Sequence, residues 1–156
     1  MSVIERVETA DLAAVLALLE HCGLPQAGLA EVLATTVIAR EAERVIGCAA
    51  LEVHGTVALL RSVAVDPSRR SQMLGSQLVQ AMLTEARRLA IHEVYLLTET
   101  ATGYFPRFGF RPIERAVVSP DIQRSVEWTS ACPASAQAMV LRLKAGQRPS
   151  PEVSNG

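Results

Sequence analysis

The stretch 57–76, VALLRSVAVDPSRRSQMLGS, decides how this chain is read. A β-type apolar run from Val57 to Val65 breaks at Asp66-Pro67. It then passes two arginines and small polar residues and opens into a helix near Gln72. Proline fixes its own φ and pushes the preceding residue away from helical conformation, so the chain turns here. A strand that feeds a helix through short side chains leaves several N–H groups unpaired at the helix start. With the positive end of the helix dipole, those groups suit a phosphate. Arg69 and Arg70 add charge where a pyrophosphate or a ribose 3′-phosphate would lie. The chemistry points to a nucleotide-cofactor site, although a plain strand–loop–helix crossover with solvated arginines has the same residues.

Outward from this stretch, the chain is 156 residues long and 49% hydrophobic, enough for one compact domain with its own core. No apolar run approaches the ~20 residues needed to span a bilayer, and no basic region precedes an apolar one at the N-terminus. A soluble, cytoplasmic protein with no membrane partner is expected. The net charge of −1 gives no footprint for nucleic acid. Cys22, Cys48 and Cys132 match no metal-ligand spacing and read as buried free thiols, and His21, His54 and His92 are scattered, so no metal site is expected.

Ser2 to Val7 reads as a strand. Thr9 offers an N-cap for a helix carrying Leu12, Val15, Leu16 and Leu19 on one face and ending at Gly23. A second short helix is predicted from Leu24 to Ala34, starting near Pro25. Thr36 to Arg40 and Arg44 to Val53 form a hairpin about Glu41-Ala42-Glu43, and His54-Gly55 turns the chain into Val57 to Val65. From Gln72 to Leu89, Leu74, Leu78, Met82, Ala86 and Leu89 line one helical face. Glu93 to Thr98 is a central strand, Ala101 to Phe108 a short helix limited by Pro106, and Phe110 to Ile113 and Ala138 to Leu143 are the last strands. Residues 1–144 thus read as a single domain and 145–156, rich in Pro, Ser and Gly, as a disordered tail. The predicted class is α+β, a mixed sheet with helices on both faces.

The Arg70 to Gly75 segment resembles the acetyl-CoA-binding motif of the GNAT N-acetyltransferases, Q/R-x-x-G-x-G/A after a strand. Arg70 matches the first position, Leu74 is the usual apolar residue and Gly75 matches the last; Met73 replaces the first glycine. The segment 101–110, ATGYFPRFGF, is similar to the family's helix and Gly-Phe pair after the fifth strand. The resemblance implies a mostly antiparallel central sheet with two splayed parallel strands, here Leu59 to Val65 and Val94 to Thr98. Acetyl-CoA would be the cosubstrate. Its pyrophosphate would lie on the backbone of Arg70, Ser71, Gln72, Met73, Leu74, Gly75 and Ser76, and its pantetheine amides would pair with Val63 and Val65. Phe105 would cover the side where the thiolate leaves. Met73 fits this loop if its φ is negative, with its side chain near the phosphates. A narrower resemblance, to the arsenic-resistance (ArsN-type) N-acetyltransferases, rests on Leu96 to Ala101, the Tyr104-Phe105 pair and 132–139, CPASAQAM. It implies a glutamate-like small-molecule acceptor, such as arsinothricin or phosphinothricin, acetylated as detoxification. Enzymes of this size in the family often dimerise through their last strands, so a homodimer is among the expectations.

The implied reaction is attack of a neutral amine on a thioester carbonyl. The Val63 N–H would polarise that carbonyl. Glu52 and Glu99 are the candidate bases, each also readable as a solvent-facing strand-end residue. Tyr104 is the candidate acid for the thiolate, or a core tyrosine; in many family members the tyrosine stands where this chain has Phe105. Arg61 interrupts an apolar strand, and its fork matches an amino-acid carboxylate; the alternative is pairing with a local glutamate. Thr98 and Thr100 flank the same cleft as further substrate contacts. Other acceptors, among them glutamate or a polyamine, and a non-catalytic acetyl-CoA-binding module remain as alternatives; Met73 and Phe105 are what such a module would carry.

Overall fold

The structure is a computed structural model describing residues 2–131 and 134–143. Cys132 and the tail 145–156 lie outside the described residues. The strands are β1 (Ser2–Arg6), β2 (Thr36–Glu41), β3 (Arg44–His54), β4 (Val57–Val65), β5 (Glu93–Thr98), β6 (Arg111–Ile113) and β7 (Gln137–Arg142). They form one sheet in the order β1-β2-β3-β4-β5-β7-β6. Neighbours are antiparallel except β4 and β5. The expected hairpin closes on Ala42-Glu43, with Glu41 paired to Arg44 and Ala42 at φ 54°.

Helix α1 (Leu12–His21) packs on one face and α2 (Leu74–Arg88) on the other. Leu74, Leu78, Met82 and Ala86 of α2 bury against Ala58, Leu60, Leu96 and Met139. Val15, Leu18 and Leu19 of α1 bury against Ile38, Cys48, Ala50 and Ala64. Beside α1's side of the sheet, Leu59, Tyr95 and Val140 pack with Ile122 of the short helix α3 (Pro120–Gln123) and with Trp128.

One irregularity in β4 shapes the centre of the sheet. Cys48 pairs with Ala64 and Ala50 with Arg61, so Ser62 and Val63 stand opposite Ala49 alone. Ser62 is the extra residue, at φ 61°. The bulge changes the phase of the strand. Ala58 and Leu60 face α2 before it and Val63 and Val65 after it, while Arg61 and Ala64 take the opposite face. Beside the bulge, the parallel pairing of β4 with β5 runs only from Val57–Glu93 to Leu59–Tyr95. Beyond it β5 pairs with β7 alone, and the two strands part as the resemblance implies.

Several boundaries differ from the sequence reading. Thr9 does not cap α1: it begins a 3-10 turn, Thr9–Asp11, held by a capping box between Glu8 and Asp11. The helix expected from Leu24 to Ala34 is a 3-10 segment, Leu29–Thr35, kinked at Val32, because Gly28 at φ 82° delays its start. The loop after β4 is itself a 3-10 helix, Pro67–Gln72, and α2 begins at Leu74 rather than Gln72. Ala101 to Phe108 is helical only as the 3-10 turn Phe105–Phe108. Between β6 and β7, where no element was predicted, lie a 3-10 turn (Arg115–Val117), α3 and a π-helical turn (Glu127–Ala131). No helix among the described residues is long and apolar enough to cross a membrane.

Candidate active site

The parting of β4 and β5 opens a cavity of about 1250 Å³. Its walls are β4 from Leu60 to Val65, the end of β5 through Ala101, the start of α2, the 103–107 turn, the connection after α1 from Cys22 to Pro25, and Glu127. The Asp66 N–H donates across the sheet to Ile46 O at 2.7 Å. Backbone groups alternate sides along a strand, so the N–H and C=O of Val63 and Val65 point the other way, into the gap. The Val65 carbonyl already accepts from Arg70 Nε at 3.1 Å.

At one end of the gap stands the N-terminus of α2. Gln77 N makes a helical bond to Met73 O at 3.2 Å, leaving the N–H groups of Leu74, Gly75 and Ser76 directed out of the helix end. The turn leading there is held from outside. Asp66 accepts from Ser68 Oγ at 2.7 Å and Ser68 N at 2.9 Å, and pairs with Arg44 at 2.7 Å. The Ser68 hydroxyl, then the Ser68 N–H and the Arg44 charge, hold its carboxyl below the usual range. Arg69 pairs with Glu41 at 2.5 Å and ties the turn to β2. Of the two arginines expected to face a phosphate, therefore, only Arg70 lines the cavity, its Nε donating to Val65 O at 3.1 Å.

Met73 departs from expectation. Its φ is 61° and ψ 17°, the left-handed conformation that glycine takes without cost, because the chain reverses there between the 3-10 helix and α2. Its side chain points largely to solvent, 71% exposed. Leu74 is buried under α2, so only its backbone is available to a ligand. Gly75 and Ser76 line the cavity. The side chains of Ser71 and Gln72 lie outside the described part of the structure.

Tyr104 reaches across to this helix end. A Cβ on Gly75 would stand 3.2 Å from the Tyr104 hydroxyl. Arg107 lies over the Tyr104 ring at 4.3 Å and lines the same wall. Phe105 is mostly buried in edge contact with Tyr104 and Phe110. Thr98, Glu99 and Thr100 line the cavity, but the Thr98 hydroxyl already accepts from Ala101 N at 3.0 Å.

Arg61 and Glu52 sit differently from the sequence reading. Arg61 lines the cavity, yet its guanidinium is fully buried and paired within the protein, with Glu127 at 3.1 Å, Glu52 at 3.4 Å and Ala27 O at 2.6 Å. The expectation of a free fork for a substrate carboxylate is corrected accordingly, and the alternative of a local glutamate partner describes it better. Glu52 lies behind Arg61, outside the cavity wall, held by His54 at 2.8 Å and Ser125 Oγ at 3.1 Å. That position removes it as a base in contact with substrate. The sequence reading missed Glu127 and Arg107. Arg107 sits inside the 101–110 segment already singled out. For Glu127 the available signal was its neighbour Trp128, the chain's one tryptophan, which anchors an otherwise aperiodic segment.

Together the outward N–H groups of α2, the cations Arg70 and Arg107, and the backbone lining the gap fit a phosphate-bearing thioester with an extended arm. Comparison with known proteins agrees. Residues 33–112 match the model of the acetyltransferase (GNAT) domain. Curated relatives named amino-acid acetyltransferase include one from Aeromonas salmonicida, 34% identical over 60% of this chain and 21% of the relative. Another, from Mycobacterium tuberculosis, is 36% identical over 51% of this chain and 45% of the relative. The chain thus spans less than half the length of these relatives. A Mycobacterium tuberculosis protein solved in complex with CoA superposes with a TM-score of 0.77 at 26% identity, over 91% of this chain and 99% of that one. N-acetylglutamate synthase from Neisseria gonorrhoeae, solved with coenzyme A and N-acetyl-glutamate, shares the fold with a TM-score of 0.78 at 19% identity, over 93% of this chain and 36% of that one. The chain belongs to the GNAT acetyltransferase family, whose cosubstrate is acetyl-CoA.

Proposed function

We propose that this protein transfers acetyl from acetyl-CoA to the α-amine of a small acidic amino acid. The observation that carries the reading is the parted β4–β5 gap. It joins the phosphate-binding start of α2 to a cavity holding both exposed cations, Arg70 and Arg107, and a buried carboxylate, Glu127. The pantetheine arm lies along Val63 and Val65, the thioester carbonyl takes the Val63 N–H, and the pyrophosphate sits on the first turn of α2. The amine attacks the carbonyl carbon, a C–N bond forms and the C–S bond breaks. Tyr104, whose hydroxyl stands at Gly75, packs against the cofactor at the helix end, and the thiolate leaves at the other end of the arm. Arg70 and Arg107 neutralise acidic groups on cofactor and acceptor.

Within this class the acceptor is a glutamate analogue carrying an organoarsenical or phosphinic group. The supporting residues are Leu96 to Ala101, Tyr104-Phe105 and 132–139. Glutamate itself is the second acceptor, favoured by the relatives named amino-acid acetyltransferase. Competition assays separate them: steady-state acetylation of phosphinothricin with glutamate as competitor gives the ratio of kcat/KM. A ratio above one supports the detoxifying role, and a preference for glutamate rejects it.

A further inference from the structure

Two walls of the cavity, the connection 22–28 after α1 and the turn that carries Glu127, come from distant parts of the chain, and one side chain joins them. The Arg61 side chain has no solvent exposure, and its nitrogens go to different segments. Nη2 donates to Ala27 O, in the first wall, at 2.6 Å. Nε pairs with Glu127, in the second wall, at 3.1 Å and donates to Ser62 Oγ of the bulge at 3.1 Å. Nη1 reaches Glu52 of β3 at 3.4 Å, and His54 holds the other oxygen of Glu52 at 2.8 Å. A second path closes the ring: Ser125 Oγ donates to Glu52 Oε1 at 3.1 Å and accepts from the Glu127 N–H at 3.2 Å. The joint is tight, since a Cβ on Gly28 would stand 2.7 Å from Val126 Cγ1 and 3.0 Å from Arg61 Nη1. A planar guanidinium fork holds these directions at once, which an ammonium on a flexible stem does not.

We infer that Arg61 is a positioning residue for the acceptor: it sets the spacing between the 22–28 connection and the Glu127 turn, and that spacing seats the acceptor against the thioester. The inference rests on the proposed function and assigns the acceptor's walls within it. The cofactor end is built separately. Val63 and Val65 pack on α2's side of the bulge, whereas Ser62 at φ 61° turns Arg61 to the opposite face. On that face Leu24, part of the α1 core, and Glu127 line the cavity. Loss of the Arg61 fork therefore shifts the acceptor walls. It leaves the phosphate-binding turn in place, because Asp66–Arg44 and Glu41–Arg69 hold that turn from outside. A displacement of about 1 Å in a reacting group costs up to about 100-fold in rate, so a small shift of these walls is enough to be read.

The test compares the full chain with Arg61→Lys, which keeps the charge and loses the fork, and with Ser125→Ala, which cuts the second path. Acetylation of glutamate or phosphinothricin is followed at saturating acetyl-CoA, acetyl-CoA affinity by calorimetry, and backbone amide exchange by mass. Arg61→Lys is expected to lose about 30-fold in kcat/KM for the acceptor, with acetyl-CoA affinity within about twofold of wild type. Its amide exchange should quicken in 22–28 and 125–128 together and stay unchanged in α2. Acceptor kcat/KM within about threefold of wild type in Arg61→Lys, or equal losses for acceptor and acetyl-CoA, overturns the positioning role. Exchange that quickens throughout the molecule marks plain destabilisation and overturns it as well. If Arg61→Lys does not fold, Ser125→Ala is read in its place. A loss of about threefold or more in acceptor kcat/KM with acetyl-CoA affinity kept supports the assignment, and an unchanged kcat/KM overturns it. A wild-type chain that acetylates no amino acid contradicts the proposed function itself, and the exchange pattern still decides whether Arg61 joins the two walls.

Discussion

Met73 is a side chain in a glycine's conformation. At φ 61° its Cβ crowds its own backbone, and at 71% exposure it gains little from packing. Met73→Gly removes that strain, worth about 1 kcal/mol, against the extra entropy glycine loses on folding. A small rise in stability in urea titration, with tighter acetyl-CoA binding, is the expected outcome; a clear fall in either contradicts the strain argument. Two residues on, Gly75 is needed for a different reason. Its φ is ordinary, but a methyl group there stands 3.2 Å from the Tyr104 hydroxyl. Gly75→Ala should displace Tyr104 and weaken acetyl-CoA binding with little change in melting temperature. Unchanged affinity in Gly75→Ala would reject the contact.

At the scale of elements, the approach of α2 to β3 depends on Gly47. A Cβ there would meet Leu78 Cδ1 at 2.9 Å and Ala64 O at 3.3 Å. Gly47→Ala should therefore cost about 1–3 kcal/mol of stability, the usual scale of overpacking. An unchanged melting temperature would mean that α2 shifts freely on the sheet. The turn between β4 and α2 is acid-sensitive. The carboxyls of Asp66, bonded to Ser68, and Glu41, bonded to Arg69, titrate lower when folded than when unfolded. Their contribution is complete above about pH 5.5, declines as pH falls through the unfolded values, and is lost as pH falls through the folded ones. Asp66→Asn should flatten the decline of stability below about pH 4; an unaltered acid profile would exclude this turn as its source. These elements also show how far sequence reading carries. The strands and α2 were legible because alternation and a Leu74–Leu78–Met82 stripe are local signals. The bulge at Ser62 was not, since serine has no marked preference for φ 61°; the pairing of β3 and β4 imposes it. Glu127 was hidden for a related reason: its turn has no hydrophobic period and is placed by Trp128 packing against β4, β5 and β7. Arg61 was found as a candidate, but its partners come from residues 27, 52 and 127, which only the tertiary fold brings together.

Across the whole molecule, α2 covers one face of the sheet and α1 the other, with α3 and the Trp128 turn packed where β5 and β7 meet. The cavity lies among all three packing regions, where β4 leaves β5. Its walls are drawn from β4, β5 and α2 and, through Glu127, from the segment between β6 and β7. The family model covers residues 33–112 and so includes the cofactor half, while Glu127 falls outside it. The activity proposed for this protein is transfer of acetyl from acetyl-CoA to an acidic amino acid. The most direct test is release of CoA from acetyl-CoA by the purified chain with glutamate, phosphinothricin, arsinothricin and a polyamine in parallel, with the N-acetylated product identified by mass. Turnover with one or more of the acidic amino acids and none with the polyamine is the predicted result. Acetyl-CoA binding without turnover on any of them, or turnover confined to the polyamine, would contradict it.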